Sequence, residues 1–155
     1  MRIWYWMQAK PSLGRLTSGA SIKMAALKFE AKIVTTANPD GEFLVVGFAD
    51  QEAGAEVYLV LQRGLDFDEQ DVAHGMDTYH VEWCGQEHSR YGGISKFSLQ
   101  SNHADIRFAP DAVQAFGGMD ALTIFFQLTA SKHLELRQTL EHIFEGTGCL
   151  VVADA

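Results

Sequence analysis

The chain has 155 residues and 17.2 kDa, 47% of them hydrophobic and 21% charged, the size of one domain that buries its own core without staples. Its formal net charge of −8 is uneven: residues 1–23 hold Arg2, Lys10, Arg15 and Lys23 and no acid, so residues 24–155 carry 8 bases against 20 acids, or −12. So acidic a body excludes nucleic acid and anionic membrane surfaces as partners, because phosphates are held by clustered Lys and Arg, and it leaves a basic protein partner open.

Residues 1–23 show neither helical nor strand periodicity, and an ordered alternation begins at Met24. We therefore expect 1–23 to be a disordered or non-native N-terminal extension and 24–155 to be a single α+β domain. Leu27, Phe29, Ala31 and Ile33 alternate with Lys28, Glu30 and Lys32, the period of a half-buried strand. Asn38-Pro39-Asp40-Gly41 is turn chemistry. The apolar run Phe43–Ala49 reads as a central strand, and Val57–Gln62 as its return. Residues 65–77 are polar and acidic, a long connection.

Thr78–Trp83 alternates again, with Tyr79, Val81 and Trp83 on one face. Residues 85–93 read as a loop or irregular edge. Ile94–Leu99 and Ala104–Phe108 form a hairpin around Ser101-Asn102. Pro110-Asp111 opens a short helix that Gly117-Gly118 closes, and Leu122–Leu128 is a further strand. The last main element is a helix from Ser131, its N-cap, to Glu145; Leu136, Leu140, Ile143 and Phe144 make its apolar stripe. Cys149–Val152 adds a short strand. Strands first and the main helix last predict a mainly antiparallel sheet of about seven strands with a short helix and a C-terminal helix packed on it.

No apolar run reaches the roughly 18 residues that a membrane span needs. Gln8, Lys10 and Pro11 interrupt the N-terminal apolar residues, which makes a poor signal peptide. Two cysteines, Cys84 and Cys149, do not make a disulfide framework. The expected location is the cytoplasm, with both thiols reduced.

The chemistry-bearing residues do not assemble an enzyme. His80, Cys84 and His88 are spaced four apart, but His80 falls on the strand face opposite Tyr79 and Trp83, so no metal is expected. Asp66, Asp68, Gln70 and Asp71 lack the Gly and the terminal Glu of a calcium loop. Neither phosphate-binding glycine motif occurs, and no nucleophile elbow. No cofactor and no catalysis are expected.

One ordered set of strings is distinctive: Tyr58-Leu59-Val60-Leu61-Gln62-Arg63, Asp66-Phe67-Asp68-Glu69-Gln70-Asp71, Gly75-Met76-Asp77-Thr78-Tyr79, then Glu82, then Tyr91-Gly92-Gly93-Ile94. It resembles the immunity protein 10 family of bacterial polymorphic toxin systems, from about Met24 to Phe144. The resemblance implies a small cytoplasmic protein that neutralises a toxin encoded beside it by binding, with no catalytic residue to carry over. Residues 1–23 lie outside the likeness, in keeping with a start at Met24.

An acidic loop on a rigid antiparallel scaffold suits steering toward a basic, nuclease-like toxin domain. The expected contact residues are Asp66, Asp68, Glu69, Asp71, Asp77 and Glu82, with Tyr79 and Tyr91 as aromatic anchors. Tyr91-Gly92-Gly93 reads either as a recognition loop or as a bulge that bends the sheet. A homodimer through an exposed strand edge is a further expectation. The alternative is a small-ligand-binding or scaffold module with no toxin partner, which a deep apolar pocket would mark.

Overall fold

The computed structural model describes residues 25–153. Residues 1–23, the expected extension, lie outside the described residues. The alternation that begins at Met24 is shared between two strands, β1 (Ala25–Glu30) and β2 (Ile33–Ala37), which belong to different sheets. The break falls at Ala31 and Lys32. After it the chain runs through β3 (Phe43–Ala49), β4 (Tyr58–Gly64), helix α1 (Glu69–Ala73), β5 (His80–Trp83) and β6 (Ser89–Tyr91). It continues with β7 (Ile94–Leu99), β8 (His103–Phe108), β9 (Met119–Phe125), helix α2 (Ala130–Ile143) and β10 (Leu150–Val152).

The architecture is α+β, but the single sheet of about seven strands is corrected to two sheets of five. One sheet is ordered β1-β9-β8-β7-β10, and the other is the meander β2-β3-β4-β5-β6. The meander is antiparallel throughout. In the other sheet both outer strands pair parallel, β1 with β9 and β10 with β7. Hairpin reasoning does not reach those two pairings, because each joins segments far apart in the chain.

The inner faces of the two sheets share one core. Phe48 of β3 is fully buried against Phe97 of β7 at 6.5 Å and against Phe126 at 6.1 Å, ring centre to ring centre. Val46, Leu59, Leu61 and Val81 line the meander's side; Leu99, Ile106, Leu122 and Ile124 line the other. The expected one-sided set Tyr79, Val81 and Trp83 faces this core, with Trp83 half-buried against Phe29.

Helix α2 lies against β2, β3 and β4 of one sheet and β10 of the other. Its stripe Leu136, Leu140, Ile143 and Phe144 is buried as its spacing predicts. The N-cap is Thr129, not Ser131: the Thr129 hydroxyl accepts the Lys132 N–H at 3.2 Å, which satisfies one of the helix's open donors. The expected short helix after Pro110 is two 3-10 turns, Pro110–Ala112 and Gln114–Phe116, ended by left-handed Gly117. Among the described residues no helix is long and apolar enough to cross a membrane.

Candidate functional site

The acidic connection is corrected from a loop to a five-residue helix, α1, with both ends closed. At its start the Asp68 carboxylate accepts the Asp71 N–H at 2.8 Å, and the Asp71 carboxylate accepts the Asp68 N–H at 3.0 Å, a reciprocal capping box. At its end Met76 N–H donates to Asp71 C=O and Gly75 N–H to Val72 C=O, with Gly75 at φ 71°. That is the double closure of a Schellman motif, and its left-handed residue favours glycine. No residue of α1 is buried, so no apolar period betrayed it; the spacing Asp68-x-x-Asp71 followed by Gly75 was the available signal.

A groove of about 150 Å³ opens between this segment and the far strands of the meander. Gln62, Arg63 and Gly64 at the end of β4, Asp66, Phe67, Asp71, Met76 and Thr78 around α1, and His80 and Tyr91 on β5 and β6 line it. It therefore gathers three of the expected contact residues: Asp66, Asp71 and Tyr91. Asp68 and Glu69 are exposed on α1, and Asp77 is exposed after it. Phe67, Met76, His80 and Arg63 were not among the expected contact residues, because each becomes a groove residue only when β4 and β5 are paired.

Each wall has a physical reason to hold its shape. Arg63 reaches back to the C-terminus of α2, where its Nη1 donates to Ile143 O at 2.9 Å and Glu145 O at 2.7 Å. A cation at the carbonyl end of a helix is favoured by the helix dipole. The same guanidinium lies 5.6 Å from the centre of the Phe67 ring. Tyr91, 37% exposed, meets His80 edge-on at 4.8 Å. Burial pushes the His80 imidazole below its usual range, so the ring beside Tyr91 favours its neutral form. Leu65 and Val72, on the same acidic stretch, are both exposed.

Two members of the expected contact set, Tyr79 and Glu82, are buried, at 3% and 1% exposure. Tyr79 packs on Phe144 at 4.9 Å, and its hydroxyl accepts Ile94 N–H at 2.9 Å and faces Ile94 O at 3.3 Å. Gly92 N–H in turn donates to Tyr79 O at 2.9 Å. Tyr79 thus pins the Tyr91-Gly92-Gly93-Ile94 string, which carries the chain from β6 of one sheet to β7 of the other. Gly92 and Gly93 hold positive φ of 70° and 100°, and a Cβ on Gly93 would stand 3.0 Å from that of Ala112. The string is a corner between sheets that leaves Tyr91 exposed at its start, and only glycine fits its tightest point.

Glu82 lies on the meander's other face, where its carboxylate accepts the Tyr58 hydroxyl at 2.6 Å. Burial, then the hydrogen bond and charge of Glu82, push the Tyr58 phenol far up from its usual range. Burial likewise raises Tyr79 to about 12. Both phenols keep their protons in the folded chain at pH values where an unfolded chain would lose them. Their contribution is complete below the ordinary tyrosine value of 10 and declines above it, that of Tyr79 being lost as pH rises through about 12. Urea unfolding measured at rising alkaline pH is therefore expected to show falling stability in that window, with a shallower fall in Tyr79→Phe.

Both cysteines are free thiols, and burial raises each, Cys84 to about 12. Neither is an activated nucleophile. Among the described residues no three His, Cys, Asp or Glu side chains gather as a metal-ligand set, and His80, Cys84 and His88 do not form one.

No curated protein and no solved structure matches the chain significantly. Residues 30–135 match the family model described as immunity protein 10, a span that contains β2 to β9, all of α1 and every residue of the groove. That match covers more than half of the sequence, and the chain belongs to the immunity protein 10 family.

Proposed function

We propose that this protein binds a cognate toxin domain and neutralises it by occlusion, using the surface around the groove. The observation that carries the reading is the composition of residues 65–77 in their folded setting: five acids and no Lys or Arg, arranged on and around a capped helix beside exposed Tyr91. Such a surface steers a basic partner electrostatically and offers an aromatic anchor beside the acids. Exposed Leu65 and Val72 supply apolar area among the charges. The action is stoichiometric binding in the cytoplasm, and a nuclease-like toxin with a phosphate-binding surface fits the charge.

The groove does not favour the small-ligand alternative. At about 150 Å³, open and lined largely by polar side chains, it is smaller than the roughly 300 Å³ from which ligand pockets start.

The test is binding to the toxin domain encoded beside the gene. Asp68 and Asp71 are poor probes, because their reversal also dismantles the capping box of α1. Asp66→Lys with Glu69→Lys is expected to slow association and flatten its salt dependence. Tyr91→Ala should cost about 2 kcal/mol, roughly thirtyfold in Kd. Wild-type affinity and salt dependence in all these variants would place the interface elsewhere, and an adjacent gene with no toxin domain would remove the reading.

A further inference from the structure

We propose that two copies of this chain associate through β1, edge to edge and antiparallel, in one register set by Lys28 and Glu30. Strand β1 is the outer strand of its sheet: β9 lies on one side, and among the described residues no strand lies on the other. It is also unusually open. Ala25, Ala26, Leu27, Lys28 and Glu30 are all exposed, Leu27 to 44%.

The backbone says which residues face the open edge. Ala25 N–H donates to Gly118 O and Ala31 N–H to Phe125 O, so the odd-numbered residues of β1 turn their peptide groups toward β9. Peptide direction alternates along a strand, so Ala26, Lys28 and Glu30 present N–H and C=O groups outward. Those groups form a template for another strand.

Charge then selects the partner and the register. A two-fold axis through Phe29 sets Lys28 opposite Glu30 of the partner subunit, and Glu30 opposite Lys28 of the partner subunit. Both pairs are of the hydrogen-bonded kind, because both residues face the open edge. On the other face Phe29 meets Phe29 of the partner subunit. An axis through Lys28 would oppose two ammonium groups directly, which is destabilising. An axis through Leu27 would carry Glu30 beyond the first residue of the strand. Charges on an edge often serve to repel other strands, but opposite signs two residues apart are complementary to their own two-fold image.

The dimer edge and the groove share no residue, so the proposal stands apart from the binding reading. Most of β1 also precedes the matched span 30–135. Self-association through it is a property of this chain, not one that the family match carries.

Sedimentation velocity of the full chain over a rising concentration series tests the proposal. The wild type is expected to move from 17.2 kDa toward twice that mass. Lys28→Glu and Glu30→Lys each place like charges opposite one another and should weaken dimerisation about tenfold or more. The double exchange K28E/E30K restores opposite pairs and should restore the dimer. A wild type that stays monomeric overturns the proposal, as do single variants that dimerise like wild type or a double exchange that fails to recover. Circular dichroism confirms that these exposed exchanges leave the fold intact, and should a single variant unfold, the wild type and the double exchange still decide.

Discussion

Phe48→Ala is expected to lower the unfolding free energy by about 3–5 kcal/mol, the range for truncating a fully buried aromatic ring. The reason is position as much as size. Phe48 stands where the two sheets meet, against Phe97 of the opposite sheet and Phe126 just beyond β9, with Leu59 beside it in register. Its removal leaves a cavity between two pleated surfaces whose backbones are fixed by their own ladders, so the gap closes poorly. A domain holds only about 5–15 kcal/mol in total, so the variant should show a much earlier urea midpoint with a similar slope. A loss below about 1 kcal/mol would mean that the sheets re-close around the gap and that Phe48 is not the centre of their contact.

Tyr58→Phe is expected to cost about 1.5–3 kcal/mol, the range for a hydrogen bond to a charged group. Tyr58 and Glu82 are diagonal neighbours across the β4–β5 ladder, and the phenol donates to a carboxylate that is 1% exposed. Phenylalanine keeps the ring and its packing while withdrawing that donor from a desolvated carboxylate. Glu82→Gln lowers the demand for the donor, so the same Tyr58 change should cost less in that background. Urea unfolding of the four members of the cycle reads the coupling directly. Strict additivity would show that the charge of the Glu82 carboxylate adds nothing to the 2.6 Å contact.

Both predictions concern residues whose place in the structure was only partly written in the chain. Tyr79, Val81 and Trp83 were legible as one face of a strand, and that face does meet the core. The same alternation also put Glu82 on the opposite face, but period two does not say whether a face is open to water. Glu82 was expected at a binding surface and instead closes a buried hydrogen bond with Tyr58. Tyr79 was expected as an exposed anchor and instead holds the corner at Ile94 from inside. The groove shows the same limit: Asp66, Asp71 and Tyr91 were legible as types suited to an interface, whereas His80 and Arg63 joined them only through strand pairing and the tether to α2.

The acidity of residues 24–155, the strand segments, the Leu136, Leu140, Ile143 and Phe144 stripe and the strings of the immunity protein 10 family are properties of sequence alone. They depend on local periodicity and residue chemistry, which each segment carries with it. The division of residues 25–37 between two sheets and the parallel pairings of β1 with β9 and β10 with β7 were decided by the tertiary structure. So was the exchange of Tyr79 and Glu82 from surface to interior. A strand's pattern records that one face is apolar; which strand lies alongside, and what covers the other face, depends on burying the most apolar surface while every peptide group keeps a partner. That condition is met by the whole chain at once, and no single segment contains it.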